Sequence, residues 1–155
     1  MKLKKYEQAE TWQRKYLAAI KQEHGPNSIP YGQQLYVLTL VLLAQNRWHE
    51  AETVILELKN LTEKTDTDSW SYFNIHSLLG AAMMGQKRYA EAEPLLIKGY
   101  EGLKQREKTI PPRSSTRLPE ALDRLIQLYT ETNKPDEVKK WQAERDRISK
   151  TPEKN

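Results

Sequence analysis

Three short segments of one pattern recur along the chain at almost equal intervals: Tyr6-Glu-Gln-Ala-Glu10, Trp48-His-Glu-Ala-Glu52 and Tyr89-Ala-Glu-Ala-Glu93. The aromatics stand 42 and 41 residues apart, and the small residue three positions on (Ala9, Ala51, Ala92) keeps the same step. A weaker fourth copy opens at Pro135, with Val138 in the alanine's place after 46 residues. A period of this length in helix-compatible sequence restricts the chain to consecutive helical hairpins, each burying its apolar face fully only when the next one stacks on it. The expected fold is all-α, with about seven antiparallel helices in stacked hairpins.

Apolar residues at three- and four-residue steps, with turn residues between them, place the helices at about 3–22, 30–45, 48–64, 69–84, 88–108, 116–132 and 135–149. The first has Tyr6, Ala9, Gln13, Tyr16, Leu17 and Ile20 on its inward stripe and stops at Gly25-Pro26-Asn27. Pro30 suits a first turn, where a missing N–H costs nothing. Gln45-Asn46 makes the next corner, Asp68 is the expected cap of the fourth helix, and Gly85 is placed to leave it in a left-handed conformation. Ile110-Pro-Pro-Arg-Ser-Ser-Thr-Arg117 reads as the one long connector, and Asn133 closes the sixth helix. Val37 to Leu43 has strand propensity, but the repeat puts helix in the same slot. Residues 1–150 are expected to form one repeat domain, with 151–155 as a flexible tail.

Hydrophobic residues make up 37% of the chain and charged residues 30%, a polar balance that suits an extended stack with much surface. Twelve residues are Trp or Tyr, which argues against disorder. With no cysteine, disulfides, thiolate nucleophiles and Cys-ligated zinc are excluded. The longest apolar run, Val37 to Ala44, is far below the roughly 20 residues that cross a bilayer, so a cytoplasmic protein with no membrane partner is expected. The net charge of +4 collects between Lys98 and Arg117 (Lys98, Lys104, Arg106, Lys108, Arg113, Arg117). No aromatic-basic reading module accompanies it, so no nucleic-acid partner is expected. His24, His49 and His76 are far apart, and Glu50/Glu52 and Glu91/Glu93 are two residues apart, so neither pair shares a helix face. No enzymatic activity, cofactor or metal is expected.

Two helices cross closely only where a small side chain lets their backbones approach. Ala51 and Ala92 supply that on the second helix of a hairpin and Gly80 on the first. The aromatic three residues earlier wedges into the corner, and removing Trp48 is expected to cost about 3–5 kcal/mol. This pattern resembles the tetratricopeptide repeat in its longer form of about 42 residues, the kinesin-light-chain type. The clearest copy has Leu79-Gly80, Met83, Tyr89, Ala92, Leu96 and Gly99. The one before has Leu38-Thr39, Leu42, Trp48, Ala51, Ile55 and Leu58, and the last has Leu125-Ile126, Tyr129, Pro135 and Val138. Ser77-Leu-Leu-Gly-Ala through Tyr100-Glu-Gly-Leu-Lys also resembles the repeat region behind the kinase domain of large planctomycete-type bacterial serine/threonine kinases.

The resemblance implies a right-handed α-α superhelix, a protein-binding scaffold in which the first helix of each pair lines a concave groove. The residues it points to are Gln33, Tyr36 and Leu40, then Asn74 and Ser77, then Glu120, Asp123 and Gln127, with Arg113 and Arg117 available to a carboxylate. The partner is expected to be a peptide, a protein or a neighbouring domain of a larger protein. The alternative is a structural spacer or self-association module, since the first helix has the character of a second-of-pair helix and offers a face for a homodimer.

Overall fold

A computed structural model describes the backbone of residues 2–150 and the side chains of residues 8 and 10–149. The expectations for Tyr6, Ala9 and the tail 151–155 lie outside the described side chains. Every regular element among the described residues is helical. The chain falls into two compact units, one ending at Thr67 and the other starting at Asp68. The first holds α1 (Lys2–His24), α2 (Ile29–Ala44) and α3 (Trp48–Glu63). The second holds α4 (Trp70–Gly85), α5 (Tyr89–Gln105), α6 (Arg117–Glu131) and α7 (Pro135–Lys150).

The corners repeat in detail. Asn46, Lys87 and Asn133 each take a left-handed conformation, with φ of 59°, 62° and 54°. The next N–H reaches back to close the preceding helix: Arg47 to the Leu42 carbonyl, Arg88 to that of Met83, and Lys134 to that of Tyr129, at 2.9–3.0 Å. Arg47 then pairs with Glu50, and Arg88 with Glu91, three residues into the next helix. Gly85 is not the left-handed residue; it is the last of α4, and Lys87 takes the turn instead. The corner is counted back from the aromatic, so the left-handed position is two residues before Tyr89, as Asn46 is two before Trp48.

Both hairpins also begin alike. Ser28 and Ser69 cap α2 and α4, each Oγ accepting from the N–H three residues on, Tyr31 and Tyr72. Asp68 is therefore not the cap. Its carboxylate meets the Arg106 guanidinium, which stacks on the Phe73 ring 4.2 Å from its centroid. α5 stops at Gln105 rather than Lys108, with Arg106 as its cap residue. A single 3-10 turn over Glu107–Thr109 follows, and another covers Pro112–Ser114 in the connector.

In the first unit α2 packs between α1 and α3 through buried Tyr31, Leu35, Leu38, Leu42, Ala51, Ile55 and Leu58. Gln13 of α1 donates to the Gln34 side chain of α2 at 2.8 Å. Beside it, buried Glu10 receives Arg14 and Arg47. Burial alone would raise the Glu10 carboxyl, but the two guanidinium hydrogen bonds prevail and hold it below the ordinary range. Tyr16, expected inward, is 53% exposed and faces away from Leu17 and Ile20. At 100° per residue it shares a side with Trp12, and the inward stripe runs Glu10, Gln13, Leu17, Ile20 instead.

The second unit is closed by backbone proximity. A Cβ on Gly99 would lie 2.7 Å from the Ser77 backbone nitrogen, and one on Gly80 would lie 2.7 Å from Leu96 Cγ. Around this contact Leu96, Leu103, Leu118, Leu122, Leu125, Leu128 and Tyr129 form one core with Ala92 and Trp141. Burying each leucine contributes roughly 1.5–3 kcal/mol. Trp48, Tyr89 and Val138 are half-buried, whereas Leu79, Leu125 and Tyr129 are buried.

Tyrosine hydroxyls then tie neighbouring helices to glutamates: Tyr31 to Glu57, Tyr89 to Glu131, Tyr129 to Glu93 and Tyr100 to Glu144, at 2.7–2.9 Å. Burial, then the adjacent carboxylate, pushes the Tyr31 phenol up to about 12 and raises Tyr100 and Tyr129 as well.

Candidate functional site

The first-of-pair helices α2, α4 and α6 were expected to present the binding residues, and the three turn out to be unlike one another. α4 has no Asp, Glu, Lys or Arg in its 16 residues, and it is buried nearly all round. Asn74 is 1% exposed and Ser77 0%, so both are interior rather than groove-lining, a correction to their expected place. Ser77 sits against Gly99, where a larger or outward-turned residue would hold the backbones apart. His76 is interior too, its Nδ1 2.9 Å from the Tyr72 carbonyl and its ring edge-on to Tyr72.

α6 carries a polar stripe at alternating three- and four-residue steps, with Arg117, Glu120 and Arg124 half-buried and Gln127 and Glu131 exposed. Its members are engaged with one another and with neighbouring elements. Arg117 pairs with Glu120 at 2.9 Å, and Arg124 lies 3.7 Å from the same carboxylate. Arg124 also donates to Ser77 Oγ at 3.0 Å. Gln127 donates to Glu131 at 2.7 Å, and Tyr89 donates to the other oxygen of that carboxylate at 2.9 Å. Asp123, one step round the helix, holds Arg145 of α7 at 2.8 Å. Arg124 was missed from the sequence because its role depends on Ser77, 47 residues away.

The basic segment is similarly committed. Lys104 pairs with Glu107, Arg106 with Asp68, and Lys98 lies over the Tyr72 ring. Lys108 and Arg113 are exposed.

α2 differs from both. Like α4 it has no charged residue in 16, yet one side of it is open. Gln33 and Ala44 are exposed, Val37 is 41% exposed and Leu40 is half-buried; these residues recur at steps of four, three and four along one stripe. Tyr36 is half-buried on its flank. Gln33, Tyr36 and Leu40, expected from the sequence to line a groove, lie on or beside this stripe together with Val37 and Ala44. Their signal was the absence of any charge in a helix with a solvent-facing side. Such a strip offers contact area and carries no titratable group.

Surface hollows lie elsewhere: about 460 Å³ between Pro26-Asn27 and α3, 420 Å³ beside Phe73 and Gly102, and 340 Å³ beside Tyr100 and Trp141. Among the described residues no three His, Cys, Asp or Glu side chains group as metal ligands. No helix there is long and apolar enough to cross a membrane. No protein-family model and no curated protein matches the sequence.

Proposed function

We propose that this chain is a tetratricopeptide-like interaction module that holds a short apolar segment of a partner protein against the open side of α2. The observation that carries this reading is the uncharged stripe Gln33, Val37, Leu40, Ala44, in which Gln33, Val37 and Ala44 are exposed and Leu40 is half-buried between them. A surface helix with no binding role ordinarily turns charged residues to water, as α6 does. The repeated corners and caps support the family reading, since one hairpin design recurs at the tetratricopeptide period. Tyr36 lies flat beside the segment and Gln33 bonds its backbone. The proposed setting is cytoplasmic, within a larger protein, where the partner is a neighbouring domain or a second polypeptide. The resemblance to the repeats behind bacterial kinase domains makes a kinase the first parent protein to examine.

The test is a selection from a random peptide library, followed by amide-shift mapping of the winners on the labelled chain. Apolar peptides that move Gln33, Val37, Leu40 and Ala44, and lose at least about tenfold in affinity with Val37→Asp, are expected. Winners that map to α6 or α7 and ignore Val37→Asp would overturn the reading.

A further inference from the structure

The two most exposed aromatic side chains among the described residues are on one helix. Trp12 is 72% exposed and Tyr16 53%, one turn apart on the side of α1 that faces away from α2 and α3. Trp48 and Trp70 are half-buried and Trp141 is buried, so Trp12 stands apart from the other described tryptophans. Exposing this much aromatic surface side by side marks an interaction face and not a random surface residue.

The face continues to Ala19 and Glu23, both exposed, so the stripe is Trp12, Tyr16, Ala19, Glu23 at steps of four, three and four. That spacing reads the same in both directions. Turned end for end about a point between residues 17 and 18, the stripe meets its own copy with Tyr16 opposite Ala19 and Trp12 opposite Glu23. Large then packs on small at the centre, as close helix pairs require. Charge agrees with size. Lys15 Nζ lies 5.6 Å from the Trp12 ring centroid, beside the place where the partner's Glu23 arrives. Each end of the pair thus gains one opposite-charge contact over an aromatic face. Among the other described charged groups beside the stripe, Arg14 pairs with Glu10 and Glu50, Lys21 lies 4.0 Å from Glu57, and His24 lies 3.6 Å from Glu23 of its own chain.

We infer that α1 is a homodimerisation helix, pairing antiparallel with α1 of a second copy of this chain about a two-fold axis at residues 17 and 18. The interface is isologous, so each residue contributes twice. It uses none of the α2 stripe, and the partner-binding reading stands or falls separately.

Sedimentation equilibrium of the full chain over a wide concentration range tests it. The expected result is a mass that climbs from monomer to twice monomer. Trp12→Ala with Tyr16→Ala, both at exposed positions that leave folding intact by circular dichroism, raises the dissociation constant at least about tenfold. Lys15→Glu and Glu23→Lys each weaken the dimer severalfold, and the two together in one chain restore it. That rescue reads the antiparallel register, because it succeeds only where the two positions meet across the axis. A monomer at every concentration overturns the inference. So does a dimer indifferent to the aromatic pair, or one that the double charge reversal fails to restore.

Discussion

In the α2–α3 hairpin Gly32 receives the end of Leu61, whose Cδ2 would lie 3.0 Å from an added Cβ. In the α4–α5 hairpin, 41 residues on, Phe73 stands where Gly32 was and Gly102 where Leu61 was, and a Cβ on Gly102 would fall 2.0 Å from the Phe73 ring. The same contact is made twice, with the large and small partners exchanged between the helices. What the fold requires there is a total volume, not a residue type on a given helix. A second difference follows from closeness. Gly80 and Gly99 let α4 and α5 touch through backbone, while their counterparts in the first hairpin are the buried side chains of Thr39 and Leu58. The tightly closed hairpin has its first helix buried nearly all round. The other has an open apolar side, and it is the one on which a partner segment is proposed to bind.

Substitutions at equivalent places should expose this contrast. The largest effect is expected at Gly99→Ala: its Cβ meets the Ser77 backbone, which cannot give way, and the loss in chemical denaturation should be about 3 kcal/mol. A loss below about 0.5 kcal/mol would mean the helices are not in backbone contact. Trp48→Ala comes next. The sequence alone suggested a wedge whose removal opens a cavity at about 3–5 kcal/mol, but the ring is half-buried, so the loss should be about 1–3 kcal/mol.

The alkaline limb of stability reads the tyrosine ties. The phenols of Tyr31, Tyr100 and Tyr129 are raised by folding, so their contribution is whole below about pH 10, the unfolded value. It is lost as pH climbs from there through the folded values, about 12 for Tyr31. Melting temperature should therefore fall above pH 10, and less steeply in Tyr31→Phe. An unchanged slope in that variant would remove Tyr31 from the account.

The smallest effect is expected at Gly32→Ala. Its Cβ meets only the movable end of Leu61 and gains helix propensity, so the change should stay within about 1 kcal/mol and favour stability. A loss as large as that at Gly99 would erase the distinction between the hairpins.

Much of the fold could be read from the sequence, because a period repeats whatever constrains it. The seven helices, the corners at Asn46 and Asn133, and the small residues Ala51, Ala92 and Gly80 in the packing were legible in the apolar period, the turn residues and the aromatic-alanine spacing. Lys87 escaped because a nearby glycine was the better conformational candidate, and only the alignment of Gly85 with Ala44 excludes it. The burial of Asn74 and Ser77 escaped because the resemblance places this face of the helix on a groove wall. The uncharged run from Trp70 to Gly85 was the stronger signal. The tyrosine–glutamate ties and the Arg124–Ser77 bond link residues 26 to 47 positions apart, and a hydrogen bond at that range leaves no periodic trace.

The most direct test of one hairpin design used twice is a double-mutant cycle at Phe73 and Gly102. Phe73→Gly opens a cavity and Gly102→Leu collides with the ring, each costing about 2–4 kcal/mol. Together they install the Gly32–Leu61 arrangement in the second hairpin, and the combined loss should be at least about 1 kcal/mol smaller than the sum of the two. Losses that simply add would show that the two hairpins do not share a contact, and the repeat would be one of sequence without a common structure.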